Sequence, residues 1–252
     1  MKTRSKLIAG IVIVFGVILV ILFQGTHHSK TNKQVGEQKK VRQTNKNSLP
    51  GGAKPSDWQL ILVNKQHSHT SEISFNKATV DGVQLDKRIE KPLANFRDGA
   101  QKAGYTTTLV SGYRSIQYQT QVYNNSLTQN EANGMNENDA KNLTQSVIQT
   151  PGSSEHQTGL AVDLAGKDAL AKYPALMAQM DEFESQKWLI KHAPDYGFIL
   201  RYLASPIARS QTGIDYESWH FRYVGKANAK YITKHHLTLE AYIDELQKAD
   251  KN

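Results

Sequence analysis

Cysteine is absent from all 252 residues. That excludes a disulfide framework, an iron–sulfur centre, a thiolate zinc finger, a cysteine nucleophile and a lipid anchor on an N-terminal Cys. Acidic residues are nearly absent from the first 56 positions, where Glu37 stands alone against ten Lys and Arg. The other 196 residues carry 21 bases and 22 acids. The formal charge of +8 therefore divides into +9 on the N-terminal arm and −1 on the remainder. A near-neutral remainder offers no basic face to a nucleic acid, so none is expected as a partner.

Long apolar runs are scarce as well, and hydrophobic residues make up 38% of the chain. The one exception is residues 7–23, LIAGIVIVFGVILVILF, preceded by Lys2, Arg4 and Lys6. A membrane-spanning helix needs about 20 apolar residues, with a range of about 17–25. Basic residues before the run and none directly after it favour an inside N-terminus. A cleaved signal peptide has a shorter apolar region of about 7–15 residues and a small-residue cleavage site. Phe23-Gln24-Gly25-Thr26 supplies no such site. We read a cytoplasmic basic tip at 1–6, a transmembrane signal anchor at 7–23, a flexible basic linker at 24–56 and a folded domain at 57–252. The expected topology is a single-pass cell-membrane protein with its domain outside the cytoplasmic membrane, and a monomeric domain is expected.

Within the domain, apolar spacing predicts helices over 87–104, 115–127, 136–150, 181–192, 227–235 and 239–247. Thr238 is the N-cap candidate of the last. Short β-branched or alternating runs predict strands over 58–64, 106–110, 159–164, 197–203 and 219–224. Helices and strands mix without a regular βαβ repeat. The expected class is α+β, an antiparallel sheet flanked by helices, with the N-terminal transmembrane helix in front.

Without Cys, a metal site must use His and carboxylates. Most of the nine His are read as solvated or capping: His27 and His28 in the linker, and His192, His235 and His236 near helix ends. His67 and His69 form a weak H-x-H pair on a polar loop. His156 and His220 lie in richer settings, Ser154-Glu155-His156-Gln157-Thr158-Gly159 and Glu217-Ser218-Trp219-His220-Phe221. Asp163 sits inside an apolar strand between Val162 and Leu164, where an unpaired carboxylate is expensive. Either a cation or a buried Arg or His satisfies it. Two His and one carboxylate leave a fourth tetrahedral position open on zinc, as catalytic sites do. Glu217 stands where a base is needed, but strand alternation would set it opposite His220, so a bend near Ser218 is required. Arg114, at a strand-to-helix junction, suits an anionic ligand or a structural pair with Asp163.

Together, SGYRS, SEHQTGLAVDL and ESWHFRYVG in this order resemble the D-alanyl-D-alanine carboxypeptidases of the VanY and L,D-carboxypeptidase type. These are zinc metallopeptidases with a lysostaphin/DD-peptidase/Hedgehog-like fold. The resemblance runs over residues 87–247. Ser154, His156, Gly159, Ala161 and Asp163 fill every fixed position of the S-x-H-x-x-G-x-A-x-D pattern. It implies that His156, Asp163 and His220 bind Zn2+, that Glu217 is the general base, and that Arg114 meets the substrate's carboxylate or developing oxyanion. It further implies that Gln119, Ser154 and Trp219 lie in the substrate site. Ser218 stands where many relatives carry Pro. The implied reaction is removal of the C-terminal D-alanine from peptidoglycan stem peptides. Alternatives are L,D-carboxypeptidase action on the tetrapeptide, endopeptidase action, or a non-catalytic wall-binding module.

Overall fold

The structure is a computed structural model and describes residues 49–173 and 175–251. The apolar run at 7–23 and most of the linker lie outside the described residues. No helix among the described residues is long and apolar enough to cross a membrane.

The chain enters through a 3-10 turn, Trp58–Leu60, and then a hairpin of β1 (Lys77–Val80) and β2 (Val83–Asp86). Asp81 and Gly82 close the hairpin, both at positive φ (50° and 82°). An Asp-Gly pair suits the two-residue turn whose twist matches paired strands. Helix α1 (Lys87–Lys102) follows at once, and the Asp86 carboxylate accepts from Arg88 N at its N-terminus. Then come β3 (Thr107–Ser111), α2 (Ile116–Ala132), α3 (Glu137–Val147), a 3-10 turn at Glu155–Thr158 and β4 (Ala161–Gly166). The second half holds α4 (Lys167–Lys172), α5 (Glu184–Tyr196), β5 (Phe198–Leu200), α6 (Pro206–Thr212), β6 (His220–Tyr223), α7 (Lys226–Lys234) and α8 (Leu239–Asp250). Thr238 caps α8 as expected, accepting from Ala241 N at 3.1 Å.

The main sheet has strand order β3-β4-β6-β5, and every pair in it is antiparallel. Its two faces differ. Val162, Leu164 and Phe221 point to one face and pack with Ile89, Leu93, Phe96 and Leu189 of α1 and α5. Phe96 is the hub. Its ring stacks on Trp188, Tyr196 and Phe198 and meets Phe221 edge-on. Gly99 lets α1 approach this closely, because a Cβ there would overlap the Tyr196 ring and touch Trp188. Side chains two apart along a strand share a face. Asp163, His220 and Arg222 therefore all point to the other face of the sheet.

Two expectations change. Residues 58–64 form no strand. Leu60 and Val63 are buried as the apolar run requires, but the carbonyls of Gln59 and Ile61 accept from Arg222 Nη2 at 3.2 and 2.7 Å instead of from a neighbouring strand. The packed body also reaches back beyond residue 57. Leu49 and Ala53 lie against a second core of Leu60, Ile199, Val224, Ile232 and Tyr242.

Candidate active site

β4 is buried along its whole length because strands flank it on both sides and helices cover it. Its register places Asp163 opposite His220 of β6 on one side and opposite Ser111 of β3 on the other. The β3 ladder is irregular between Leu109 and Ser111. Beyond it the chain leaves the sheet, and Arg114 turns back over β4. His156 comes from the 3-10 turn just before β4. Gly159 ends that turn at φ 66°, a conformation that suits Gly and gives the tight re-entry into the strand.

These elements bring three donor atoms together. His220 Nδ1 lies 3.3 Å from Asp163 Oδ1, and His156 Nε2 lies 3.6 Å from the same oxygen. All three ligand atoms fall within 4.8 Å of one another. Ligands about 2.1 Å from a tetrahedral zinc sit roughly 3.4 Å apart, so the two distances to Asp163 Oδ1 fit. Asp163 Oδ1 adds a second test of fit. It is buried, and the nearby His nitrogens are not aligned to hydrogen-bond it. A buried carboxylate oxygen without a hydrogen bond is costly unless a cation completes it. His67 and His69 take no part. His67 Nδ1 instead lies 3.0 Å from Asn64 Oδ1.

Each His is fixed from behind. His156 Nδ1 donates to Gly112 O at 2.7 Å, which leaves Nε2 to face the site. His220 Nε2 lies 2.9 Å from Glu155 Oε1, which leaves Nδ1 to face it. Burial, and then the nearby Arg114 charge, push the His156 pKa down to about 3, so this ring is neutral and ready to donate a lone pair. Burial alone would also lower His220. The nearby Asp163, Glu155 and Glu217 carboxylates outweigh it and hold the ring well above its ordinary value.

The required bend is present. Ser218 and Trp219 form a turn, β6 begins only at His220, and Glu217 Oε2 comes within 3.2 Å of His220 Nδ1. Ser in place of Pro is accommodated: Ser218 Oγ donates to Met177 O at 3.3 Å, and its carbonyl accepts from Gln186 Nε2 at 2.6 Å. Burial raises the Glu217 pKa, against the pull of His220.

Arg114 pairs with Asp163, as one of its two readings held, with Nη2 2.8 Å from Oδ2. Its Nε donates to Ser111 Oγ at 3.1 Å, and Nη1 reaches Gln119 Oε1 at 3.5 Å. An Arg has five N–H donors, so two remain for a ligand. The opposite end of the Gln119 amide donates to Gln149 O at 2.8 Å. Ser154 is buried at the start of the turn that carries His156 and has no capping hydrogen bond. Trp219 is half-buried, and its carbonyl accepts from Leu164 N at 2.9 Å. Four charged residues close to the site were not anticipated: Glu155, Arg201, Arg222 and Glu240. A charge inside an apolar strand drew attention to Asp163. The same signal marks Arg201 in FILRY and Arg222 in HFRY.

The family model for VanY D-alanyl-D-alanine carboxypeptidases matches residues 82–226. The chain belongs to the VanY D-alanyl-D-alanine carboxypeptidase family. It is 32% identical over 189 residues to a D-alanyl-D-alanine carboxypeptidase of Enterococcus faecalis, covering 75% of this chain and 66% of the relative. The match thus spans slightly less than two thirds of that relative's length. Among solved structures, a vancomycin-resistance D,D-pentapeptidase VanY in complex with Zn(II) superposes with a TM-score of 0.65 at 31% identity. That alignment covers 74% of this chain and 99% of the other. The LD-carboxypeptidase LdcB superposes with a TM-score of 0.55 at 33% identity, covering 79% and 82%. The α+β class and antiparallel sheet expected from the sequence are those of this family.

Proposed function

We propose that this chain is a zinc-dependent carboxypeptidase that removes the C-terminal D-alanine from peptidoglycan stem peptides. The observation that carries the reading is the triad of His156, Asp163 and His220 with Glu217 and Arg114 converging on it. Zinc held by the three donors supplies Lewis acidity toward a carbonyl and a water acidified toward a pKa of about 7. Glu217 takes the proton of the attacking water and passes it to the leaving amine. Burial makes its carboxylate a better base than an exposed one, which suits that task. The two spare N–H groups of Arg114 meet the terminal carboxylate or the charge developing on the scissile carbonyl. An internal peptide bond offers no such carboxylate, so the arrangement favours exopeptidase over endopeptidase action. Gln119, through Arg114, and Ser154 and Trp219, beside the metal ligands, complete the terminal D-alanine pocket. The relatives include structures of a VanY in complex with D-alanine-D-alanine and of LD-carboxypeptidases, so the pentapeptide is the first substrate to test and the tetrapeptide the second.

The apolar run at 7–23 after three basic residues supports a single-pass anchor, with residues 24 onward facing the wall. Location outside the membrane places the site beside stem peptides that end in D-alanine. The test is direct. The full chain, solubilised in mild detergent and loaded with zinc, is incubated with penta- and tetrapeptide stems while free D-alanine is measured. We expect release that stops on chelation and resumes on zinc addition. One equivalent of bound zinc without release from either stem would reject the activity.

A further inference from the structure

His220 is gripped at both ring nitrogens, and the grip behind it is charged. Nδ1 faces Asp163 and Glu217, whereas Nε2 lies 2.9 Å from Glu155 Oε1. Glu155 is wholly buried, and its other oxygen, Oε2, accepts from Arg201 Nε at 2.8 Å and Arg222 Nη1 at 3.0 Å. Both guanidinium side chains are fully buried as well. Arg201 reaches onward to Glu240 of α8 with two bonds of 2.9 and 2.6 Å, and Arg222 Nη2 holds the Gln59 and Ile61 carbonyls. A buried ion network of this size is no cheap source of stability, since apolar side chains of similar volume commonly do as well or better. Its geometry gives it another use. The two Arg take one oxygen of Glu155 and leave the other aimed at the ring nitrogen that does not face the donor triad.

An imidazole binds a metal only through the nitrogen that lacks a proton. We propose that Glu155 is a positioning residue for the metal site: it accepts a hydrogen bond from the Nε2–H of His220 and thereby keeps the Nδ1 lone pair directed at the ion. A carboxylate behind a His ligand also raises the donor strength of the ring. His156 has only the neutral Gly112 carbonyl in the equivalent place, so the charged support falls on His220 alone. Arg201 and Arg222 keep Glu155 from turning toward another donor. Through Arg201, the final helix α8 becomes part of the support of the metal ligand.

This assignment rests on the reading that the triad holds zinc, and the experiment separates the two. Zinc affinity of the full chain in detergent is measured by competition with a chromophoric chelator. The ring N–H signals of the zinc-loaded protein are recorded by 15N–1H NMR, and circular dichroism of the metal-free form checks folding. In the unmodified chain we expect one zinc, with the His220 proton on Nε2 at a strongly hydrogen-bonded position. Glu155→Gln should weaken zinc binding about 10- to 100-fold and move the His220 signal while leaving that of His156 in place. Glu240→Gln, at the outer end of the network, should act in the same direction by a smaller factor. A simple packing role would lower the metal-free melting temperature without altering zinc affinity or the His220 resonance of the folded protein. A folded Glu155→Gln protein with unchanged affinity and an unmoved His220 signal would overturn the assignment. Should Glu155→Gln fail to fold, unchanged affinity in Glu240→Gln would overturn it instead. Failure of the unmodified chain to bind zinc would reject the parent reading and this one with it, a result visible before any substitution is made.

Discussion

His156 and His220 approach the same oxygen of Asp163 with different ring nitrogens, Nε2 at 3.6 Å and Nδ1 at 3.3 Å. The difference follows from where the rings are rooted. His156 hangs from a turn and is held behind by a backbone carbonyl, whereas His220 stands on a strand and is held behind by a carboxylate. The two rings therefore carry opposite pKa displacements before a metal arrives, and this leads to the first two predictions.

Zinc binding should release protons. His220 is held well above its ordinary pKa by its carboxylate neighbours, so it is protonated in the metal-free protein near pH 7. Coordination through Nδ1 needs that proton gone. Calorimetric titration at pH 7 in buffers of different ionisation enthalpy should report release of about one proton per zinc. Release indistinguishable from zero would mean that the ring is already neutral.

Metal-free stability should fall in mild acid. His156 is pushed down to about 3 in the folded chain, whereas an unfolded His titrates near its ordinary 6.5. A depressed folded pKa gives stability that is present above the unfolded pKa and lost as pH falls toward the folded one. His220, raised in the folded state, stays protonated there while its unfolded counterpart completes protonation, so it offsets only a small part of this loss. Urea unfolding of the chelated protein at pH 6.5 and 4.5 should therefore differ by on the order of 2–3 kcal/mol. The difference should shrink in His156→Gln.

Base and ligand should separate under substitution. Glu217 sits beside the triad without belonging to it. Glu217→Ala should keep one zinc while activity falls about 100- to 10 000-fold. His220→Ala should lose both zinc and activity. D-alanine release surviving in Glu217→Ala would point to another base.

Arg114 should confer preference for a free carboxyl terminus. Its two unspent N–H groups have a carboxylate to meet only at a chain end. Amidating the terminal D-alanine should lower kcat/KM about 10- to 100-fold, the range of a charge-assisted pair. Arg114→Ala should lose most of that preference. Because the substitution also strips Asp163 Oδ2 of its partner, the metal-free melting temperature should drop and zinc should restore part of it.

The aromatic hub should dominate stability. Phe96 is fully buried against four other rings. Phe96→Ala should cost about 3–5 kcal/mol in urea unfolding, the range for emptying a large buried aromatic site.

Much of this protein was legible residue by residue. The absence of Cys and the charge buried in β4 drew attention to His156, Asp163 and His220 as a possible metal site, and three ordered motifs assigned them as ligands. Helical periodicity located α1, α2, α3, α5, α7 and α8 to within a few residues, because each buries one regular stripe. The hairpin β1–β2 and the short helices α4 and α6 are too brief to show a period, so they were not anticipated. The run at 58–64 was read as a strand because burial alone looks the same whether a carbonyl bonds to a ladder or to an Arg. What only the tertiary structure decided is the set of partners. Register placed Asp163 opposite His220, and the turn at Ser218–Trp219 brought Glu217 to the ligand side. Packing of α8 and β5 closed Glu155, Arg201, Arg222 and Glu240 into one network behind His220. Sequence pattern records which residues must leave water. Which charge each then meets depends on strands and helices far apart in the chain, and folding alone sets that pairing.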